Sequence, residues 1–299
     1  MAFRDHLRID PAYRELLRAA RLDSVQAVLE RVDGRVAAWS RTTDTLYVPG
    51  PTAGQGYYVK RYFYPRWRNR IRGMLRGTFF GMHRGQAEYT SLLAMQALGV
   101  TSARPVAHGS RRIGHFLSAC FLITEEVPEA CNLTTFAQRV AAGAETLTPP
   151  QRQGMTRRLA ELVATMHEGG FSHGQLFWRN VLVRRGLDGM CEYFFLDAEP
   201  MRRWERWGRG RDWWIEEIAH LTASATSFTT RSERLRFMMA YLSARRLTPQ
   251  EKRYIQAVER LSPPLQRHEQ QRIKMNRLFD EWNRQLEREQ RAAAAGGPA

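Results

Sequence analysis

The sequence predicts an α+β chain of two lobes, a small β-rich lobe carrying one main helix and a larger helical lobe after it. Three observations predict this. Apolar and aromatic runs of strand length, bounded by Gly and Pro, crowd the first 125 residues. One amphipathic stretch of helix length, Gln86–Leu98, interrupts them. From residue 134 onward the periodicity is helical apart from a single hairpin.

In chain order, residues 10–31 read as one or two short helices, with Pro11 near a first helical position and Leu16, Leu17, Val25, Val28 and Leu29 as the apolar positions. Strands are expected at Arg35–Trp39, Thr45–Val48 and Tyr57–Tyr62, the last preceded by the irregular turn PGPTAGQG. The helix Gln86–Leu98 carries Ala87, Leu92, Leu93, Met95 and Leu98 and is stopped by Gly99. Strands follow at Pro105–His108 and Phe116–Thr124, the second strongly apolar. Helices are expected at Thr134–Ala142 and, after Pro149-Pro150, at Gln151–His167. The hairpin Val181–Val183 and Tyr193–Leu196 comes next, and Asp212 to about Glu289 is helical. The expected division is a helical extension at 1–34, a first lobe at 35–124 with an insert at 61–84, a second lobe at 125–290 and a disordered tail at 291–299. No fixed-period repeat is visible. Two such lobes suggest a nucleotide in the cleft between them.

The chain has 299 residues, with 46 Lys+Arg against 30 Asp+Glu, a formal charge of +16. Hydrophobic residues at 43% and charged residues at 25% describe a globular protein rather than a disordered one. The charge favours anionic partners: nucleic acid, acidic lipid or phosphorylated substrates. Cys120, Cys131 and Cys191 are far apart and odd in number, so neither a disulfide framework nor a CxxC metal pair can be drawn. A reducing cytoplasm is expected. No run approaches the roughly 18 apolar residues of a membrane span, and the charged N-terminus is not a secretory signal. Only Lys60, Lys252 and Lys274 are lysines, so each must be asked why it is not an arginine.

The informative segment is Phe171–Pro200, which places a His, an Asn seven residues on, a hairpin, and an apolar strand ending in Asp197. It resembles the catalytic loop and metal-binding turn of the protein-kinase-like fold, H-R-D-L-x-x-x-N followed by D-F-G. More narrowly, His173-Gly-Gln-Leu-Phe-Trp-Arg-Asn180 and Phe-Leu-Asp197-Ala-Glu resemble the lipopolysaccharide core kinase family, bacterial enzymes that phosphorylate Kdo or heptose sugars. The resemblance covers roughly residues 35–250 by order of features. It implies a bilobal protein-kinase-like fold, with ATP and Mg²⁺ as cofactors and a sugar hydroxyl of an anionic glycolipid as acceptor.

The resemblance also implies roles. Lys60, in the strand YYVKRY, fits the lysine that touches the phosphates, where an ordinary surface lysine is the plain alternative. Glu88, the only acid of its helix, would be its carboxylate mate. Asn180 and Asp197 fit the two metal-holding positions, oxygen donors suited to Mg²⁺. Glu199 could add to that shell or simply be exposed. Backbone groups of Glu125 and Val127, in the inter-lobe hinge Thr124–Val127, would meet adenine. His173 would buttress the catalytic loop. Asp212 resembles the helix-start aspartate that bonds the loop backbone, or is a plain N-cap acid. No GxGxxG lies between the first strands, and Gly54 and Gly56 lie very near Lys60.

The departure that matters is Gln175, which stands where the family has its proton-accepting aspartate. An amide cannot act as a base near neutral pH, though it can orient a hydroxyl. The sequence thus permits a weak kinase, a kinase with a base from elsewhere, or an ATP-binding pseudokinase. Gly174 replaces the usual arginine and removes one cation from the loop.

Arg61–Arg84 holds seven arginines, one histidine and no acid, interleaved with aromatics. It reads as a site for anionic glycolipid or for the membrane surface, as a single-strand nucleic-acid site, or as a solvated insert with buried aromatics. Nucleic acid ranks last, because it leaves the catalytic spacing unexplained. The expected setting is cytoplasmic, peripheral at the inner membrane, with a monomeric chain.

Overall fold

The computed structural model describes residues 3–64, 82–186, 190–199 and 212–295. Its first half is a six-stranded antiparallel sheet: β1 (Phe3–Ile9), β2 (Arg35–Trp39), β3 (Thr43–Pro49), β4 (Gly56–Phe63), β5 (Pro105–Ile113) and β6 (Phe116–Glu125), in the order β1-β5-β6-β4-β3-β2. Helices α1 (Arg14–Ala19) and α2 (Val25–Leu29) cover one face, and α3 (Arg84–Ala97) lies between β4 and β5 in sequence. The second half holds the small sheet β7 (Cys131–Asn132), β8 (Val181–Arg185) and β9 (Cys191–Phe195). Around it stand α4 (Leu133–Ala141), α5 (Pro149–Glu168), α6 (Trp213–Ala225), α7 (Arg231–Tyr241) and the long α8 (Pro249–Ala295). This is the α+β protein-kinase-like fold that the resemblance implies.

Two expectations at the chain ends are corrected. The expected short helices stand within residues 11–29, but the extension opens on a strand: Phe3–Ile9 pairs antiparallel along its whole length with β5 at the edge of the sheet. Leu17, Leu22, Val25 and Val28 pack with Val48, Val59, Phe121 and Ile123 in the sheet lobe's own core. At the other end, α8 runs through 291–295, where a disordered tail was expected; 296–299 lie outside the described residues. Most of the basic aromatic insert, 65–81, also lies outside them.

Alternation along β4 sorts its neighbours by face. Lys60 and Tyr62 lie opposite Thr45 and Thr43 of β3 on the face towards α3, while Arg61 points the other way. Arg61 is buried there, donating to both carboxylate oxygens of Asp44 at 2.7 and 2.8 Å and to the carbonyls of Val28, Leu29 and Arg31. It satisfies the last carbonyls of α2, which a helix end otherwise leaves to solvent. The first arginine of the basic block is therefore a structural bridge.

The lobes share one core. Tyr89, Leu92 and Met95 of α3 pack with Leu176, Val181, Phe195 and Ile218. Residues 101–103, just after α3, pair with β9: Phe195 N–H donates to Thr101 O at 3.0 Å and Ala103 N–H to Phe195 O at 2.9 Å. That pairing ends two residues before Asp197, so α3 and the turn holding Asp197 are placed by the same stretch of backbone.

Candidate active site

Lys60, Glu88 and Asp197 converge. Lys60 Nζ donates to Glu88 Oε1 and Oε2 at 3.2 and 3.1 Å and makes a short contact with Asp197 Oδ1. Tyr62, two residues along β4, donates its hydroxyl to Glu88 Oε2 at 2.7 Å. Glu88 is held in place by α3, whose start packs against β6 so closely that a Cβ on Gly85 would lie 2.3 Å from the Phe121 carbonyl oxygen.

One lysine serving two carboxylates sets the electrostatics. Burial opposes the charge on Lys60, yet Glu88 and Asp197 outweigh it and hold the ammonium well above its ordinary value. Burial also pushes Asp197 upward, but the adjacent Lys60 brings it below the usual carboxylate range. Glu88 is raised, first by burial and then by Asp197, with Lys60 only partly compensating. The group as built carries more negative charge than its single cation neutralises.

Asp197 has φ +61, a left-handed conformation uncommon for a residue with a Cβ. Such backbones concentrate at functional sites because the surroundings must over-determine them. Here Leu196 N–H donates to Asn180 O at 3.0 Å and Glu199 N–H to His173 O at 2.9 Å, clamping the turn on both sides of Asp197.

The catalytic-loop residues follow. Asn180 is buried, and its Nδ2 donates to the Gln175 carbonyl at 2.8 Å; the same carbonyl accepts from Phe177 N–H at 2.8 Å. Gln175 N–H donates to His173 Nδ1 at 3.3 Å. His173 is fully buried, and burial lowers its basicity against the pull of Glu217 and Asp197, which favours the neutral ring. Gly174, with φ +78, abuts the turn: a Cβ there would lie 1.8 Å from the Glu199 carbonyl oxygen. No side chain fits where the resembling motif has arginine.

The loop's anchor is not Asp212. Asp212 is exposed and makes no capping bond at the start of α6. Glu217, a turn further on, does that work: it accepts from His173 N–H at 3.0 Å, Gly174 N–H at 2.5 Å and Ser172 Oγ at 2.6 Å, and lies 3.0 Å from His167 Nε2. Burial alone would raise this carboxyl; the His167 contact and the other donors overcome that and hold it at about 2. The sequence carried one signal for it, an acid four residues before Leu221 and seven before Ser224 on the buried face of α6.

The hinge and phosphate-loop expectations resolve differently. Glu125 N–H donates to Arg104 O at 2.9 Å, and its carboxylate accepts from the Tyr13 hydroxyl at 2.6 Å. Glu126 N–H donates to Gly56 O at 2.8 Å, its carboxylate accepts from Tyr47 at 2.9 Å, and the Val127 carbonyl accepts from Ala130 N–H at 3.3 Å. Gly54 and Gly56 belong to the β3–β4 turn at this hinge, where a Cβ on Gly56 would lie 2.3 Å from Glu126 Oε2. The β2–β3 turn, Ser40–Thr42, contains no glycine and meets the end of β4, where Phe63 N–H donates to the Thr42 carbonyl at 2.8 Å.

Two features were not foreseen. Arg179, beside Asn180, lies 4.0 Å over the Phe177 ring and makes a short ion pair with Glu269, a buried residue of α8. Arg84, the last residue of the basic block, opens α3, makes a short ion pair with Glu199 and lies 4.7 Å over the Tyr62 ring. Among the described residues there is no cluster of three or more His, Cys, Asp or Glu side chains arranged for a metal, and no helix long and apolar enough to cross a membrane.

Known proteins resemble this chain in sequence and in fold. The chain is 25% identical over 191 residues to the lipopolysaccharide core heptose(I) kinase WaaP of Pseudomonas aeruginosa, covering 63% of this chain and 70% of that one. The solved structure of WaaP in complex with acyl carrier protein superposes with a TM-score of 0.61 at 21% identity, covering 87% of this chain and 99% of that one. The model of the lipopolysaccharide kinase (Kdo/WaaP) family matches residues 20–241. With most of its length inside that match, and with Lys60, Glu88 and Asp197 on one cleft, the chain belongs to the lipopolysaccharide kinase (Kdo/WaaP) family.

Proposed function

We propose that the chain is an ATP- and Mg²⁺-dependent phosphotransferase acting on a sugar hydroxyl of an anionic glycolipid at the cytoplasmic face of the inner membrane. The observation that carries the reading is the contact of Lys60 with both Glu88 and Asp197. It supports a preformed cation for the phosphates, with a carboxylate from each lobe fixing its position. Glu125 and Val127 supply backbone to the adenine edge, and the basic block 61–84 supports contact with an anionic surface.

The donors present suit magnesium. Asn180 spends its Nδ2 on the Gln175 carbonyl, which leaves its amide oxygen as the coordinating atom, and Asp197 supplies a carboxylate. Two protein oxygens plus phosphate and water is the usual manner of holding this ion. Bound there, it would neutralise phosphate charge during transfer. Lys60 then shares its charge with the phosphates, and Asn180 keeps the loop shaped by bonding Gln175. The Gln175 amide orients the acceptor hydroxyl without taking its proton.

Isothermal titration with Mg-ATP and a phosphate-transfer assay on inner-core lipopolysaccharide test this. Wild-type binding and turnover, abolished in Asp197→Ala, are expected; failure to bind Mg-ATP refutes the reading. Gln175→Asp should raise turnover by about 10²-fold or more, the usual worth of a general base. Binding without turnover in the wild type, gained in Gln175→Asp, would identify a pseudokinase instead.

A further inference from the structure

We infer that Arg84 is a second phosphate-binding cation, which rests on Glu199 until the terminal phosphoryl group of the nucleotide takes it from that carboxylate. The inference rests on the ATP reading above and adds to it a residue and a position along the phosphate chain.

Three observations carry it. First, Arg84 and Glu88 are four residues apart on α3 and share a face, so Arg84 stands one turn, about 5 Å, from the Lys60 contact. Both cations flank the same ring, with Lys60 Nζ 5.4 Å and the Arg84 guanidinium 4.7 Å from the centre of Tyr62. The ring is itself fixed by its hydroxyl on Glu88 at 2.7 Å. Secondly, the partner of Arg84 lies at the acceptor end of the site. Glu199 N–H donates to the His173 carbonyl at 2.9 Å, and its own carbonyl fills the space where Gly174 has no side chain. The guanidinium therefore sits between Lys60 and the loop that presents Gln175, where a phosphoryl group must pass from nucleotide to acceptor. Thirdly, the two ion pairs differ in exposure. Lys60 and Glu88 are 19% and 5% exposed as side chains, whereas Arg84 and Glu199 are 47% and 42%. An ion pair this open to water contributes little by itself, so a phosphoryl oxygen can take the guanidinium from Glu199 at small cost.

The electrostatics agree. The attraction of Glu199 prevails over burial, so Arg84 stays fully charged, and its field helps to lower Asp197. Because Gly174 stands where the resembling motif has its arginine, Arg84 brings a cation to that place from the opposite lobe.

Titration calorimetry of wild type, Arg84→Gln and Arg84→Lys with Mg-ATP and with Mg-ADP decides it. Arg84→Gln should weaken Mg-ATP about tenfold or more, the worth of one charge-assisted contact, and leave Mg-ADP within about twofold. Arg84→Lys should retain most of the affinity for Mg-ATP. Equal loss for both nucleotides, or loss for neither, overturns the inference. A wild type that binds neither nucleotide overturns the ATP reading itself, an outcome no Arg84 variant can mimic. If Arg84→Gln melts below the assay temperature, Glu199→Gln decides. It removes only the competing carboxylate, so tighter Mg-ATP with unchanged Mg-ADP is expected, and unchanged or weaker Mg-ATP overturns the inference.

Discussion

Gly174 and Glu199 are in contact through backbone alone: a single methyl group on Gly174 would fall 1.8 Å from the Glu199 carbonyl oxygen, and Gly174 already needs φ +78. The catalytic loop and the turn after Asp197 are thus spaced by the absence of a side chain.

Gly174→Ala should therefore separate the two segments. The conformation costs about 1–3 kcal/mol before the clash is counted. A lowered melting temperature together with loss of transfer activity is expected. A variant that keeps both would show that the contact is adjustable.

Glu217 gives a pH signature. Its carboxyl is depressed from an ordinary 4.5 to about 2, so it contributes stability above the unfolded-state value near 4.5, and that contribution is lost as pH falls towards 2. The difference corresponds to about 3 kcal/mol. Urea unfolding of wild type and Glu217→Gln across pH 6 to 2.5 should show a stability gap that narrows as the solution is acidified. A gap that stays constant would mean the carboxylate is not what the loop amides need.

Lys60→Arg tests why this position escaped the arginine bias of the chain. The guanidinium is larger and planar, and the site already brings two carboxylates to a side chain only 19% exposed. Turnover should fall about 10²-fold, the typical cost of losing one preorganised donor, with Mg-ATP binding weakened in parallel. Unchanged kinetics would mean that charge alone suffices at β4.

The Arg179–Glu269 pair ties α8 to the catalytic loop. Glu269 is 2% exposed, so Glu269→Gln leaves a guanidinium partly buried and uncompensated, at a cost of about 3 kcal/mol. A fall in the urea midpoint accompanied by reduced transfer is expected. Reduced stability with intact transfer would confine α8 to a structural role.

Much of this was legible from residue order. Runs such as Tyr57–Tyr62 and Phe116–Thr124 are apolar, aromatic and bounded by turn residues, and they fold as β4 and β6. Lys60 and Glu88 could be paired because one strand and one helix each offered a single candidate, and the two meet at about 3 Å. Phe3–Ile9 could not be read as a strand, because an edge strand exposed over most of its length keeps charges where a period-2 apolar pattern would be sought. Asp212 drew attention by standing at a helix start, whereas Glu217 works because tertiary structure buries it against three donors from a distant loop. Arg84 was hidden by its neighbours: in a block of seven arginines nothing local sets apart Arg84, which pairs with Glu199 beside the Tyr62 ring.

Arg61 has a consequence for how the chain finds its register. Beside Lys60, it occupies the opposite face of β4 and is spoken for by Asp44 and three carbonyls around the end of α2. A slip of one residue along β4 would turn each cation to the wrong face: in one direction the guanidinium takes the place of Lys60 beside Glu88, and in the other a three-donor ammonium enters the Arg61 cradle, which uses five bonds. The neighbouring pair Lys60-Arg61 thus gives the folding chain a way to reject the misregistered sheet, because each cation satisfies only its own side.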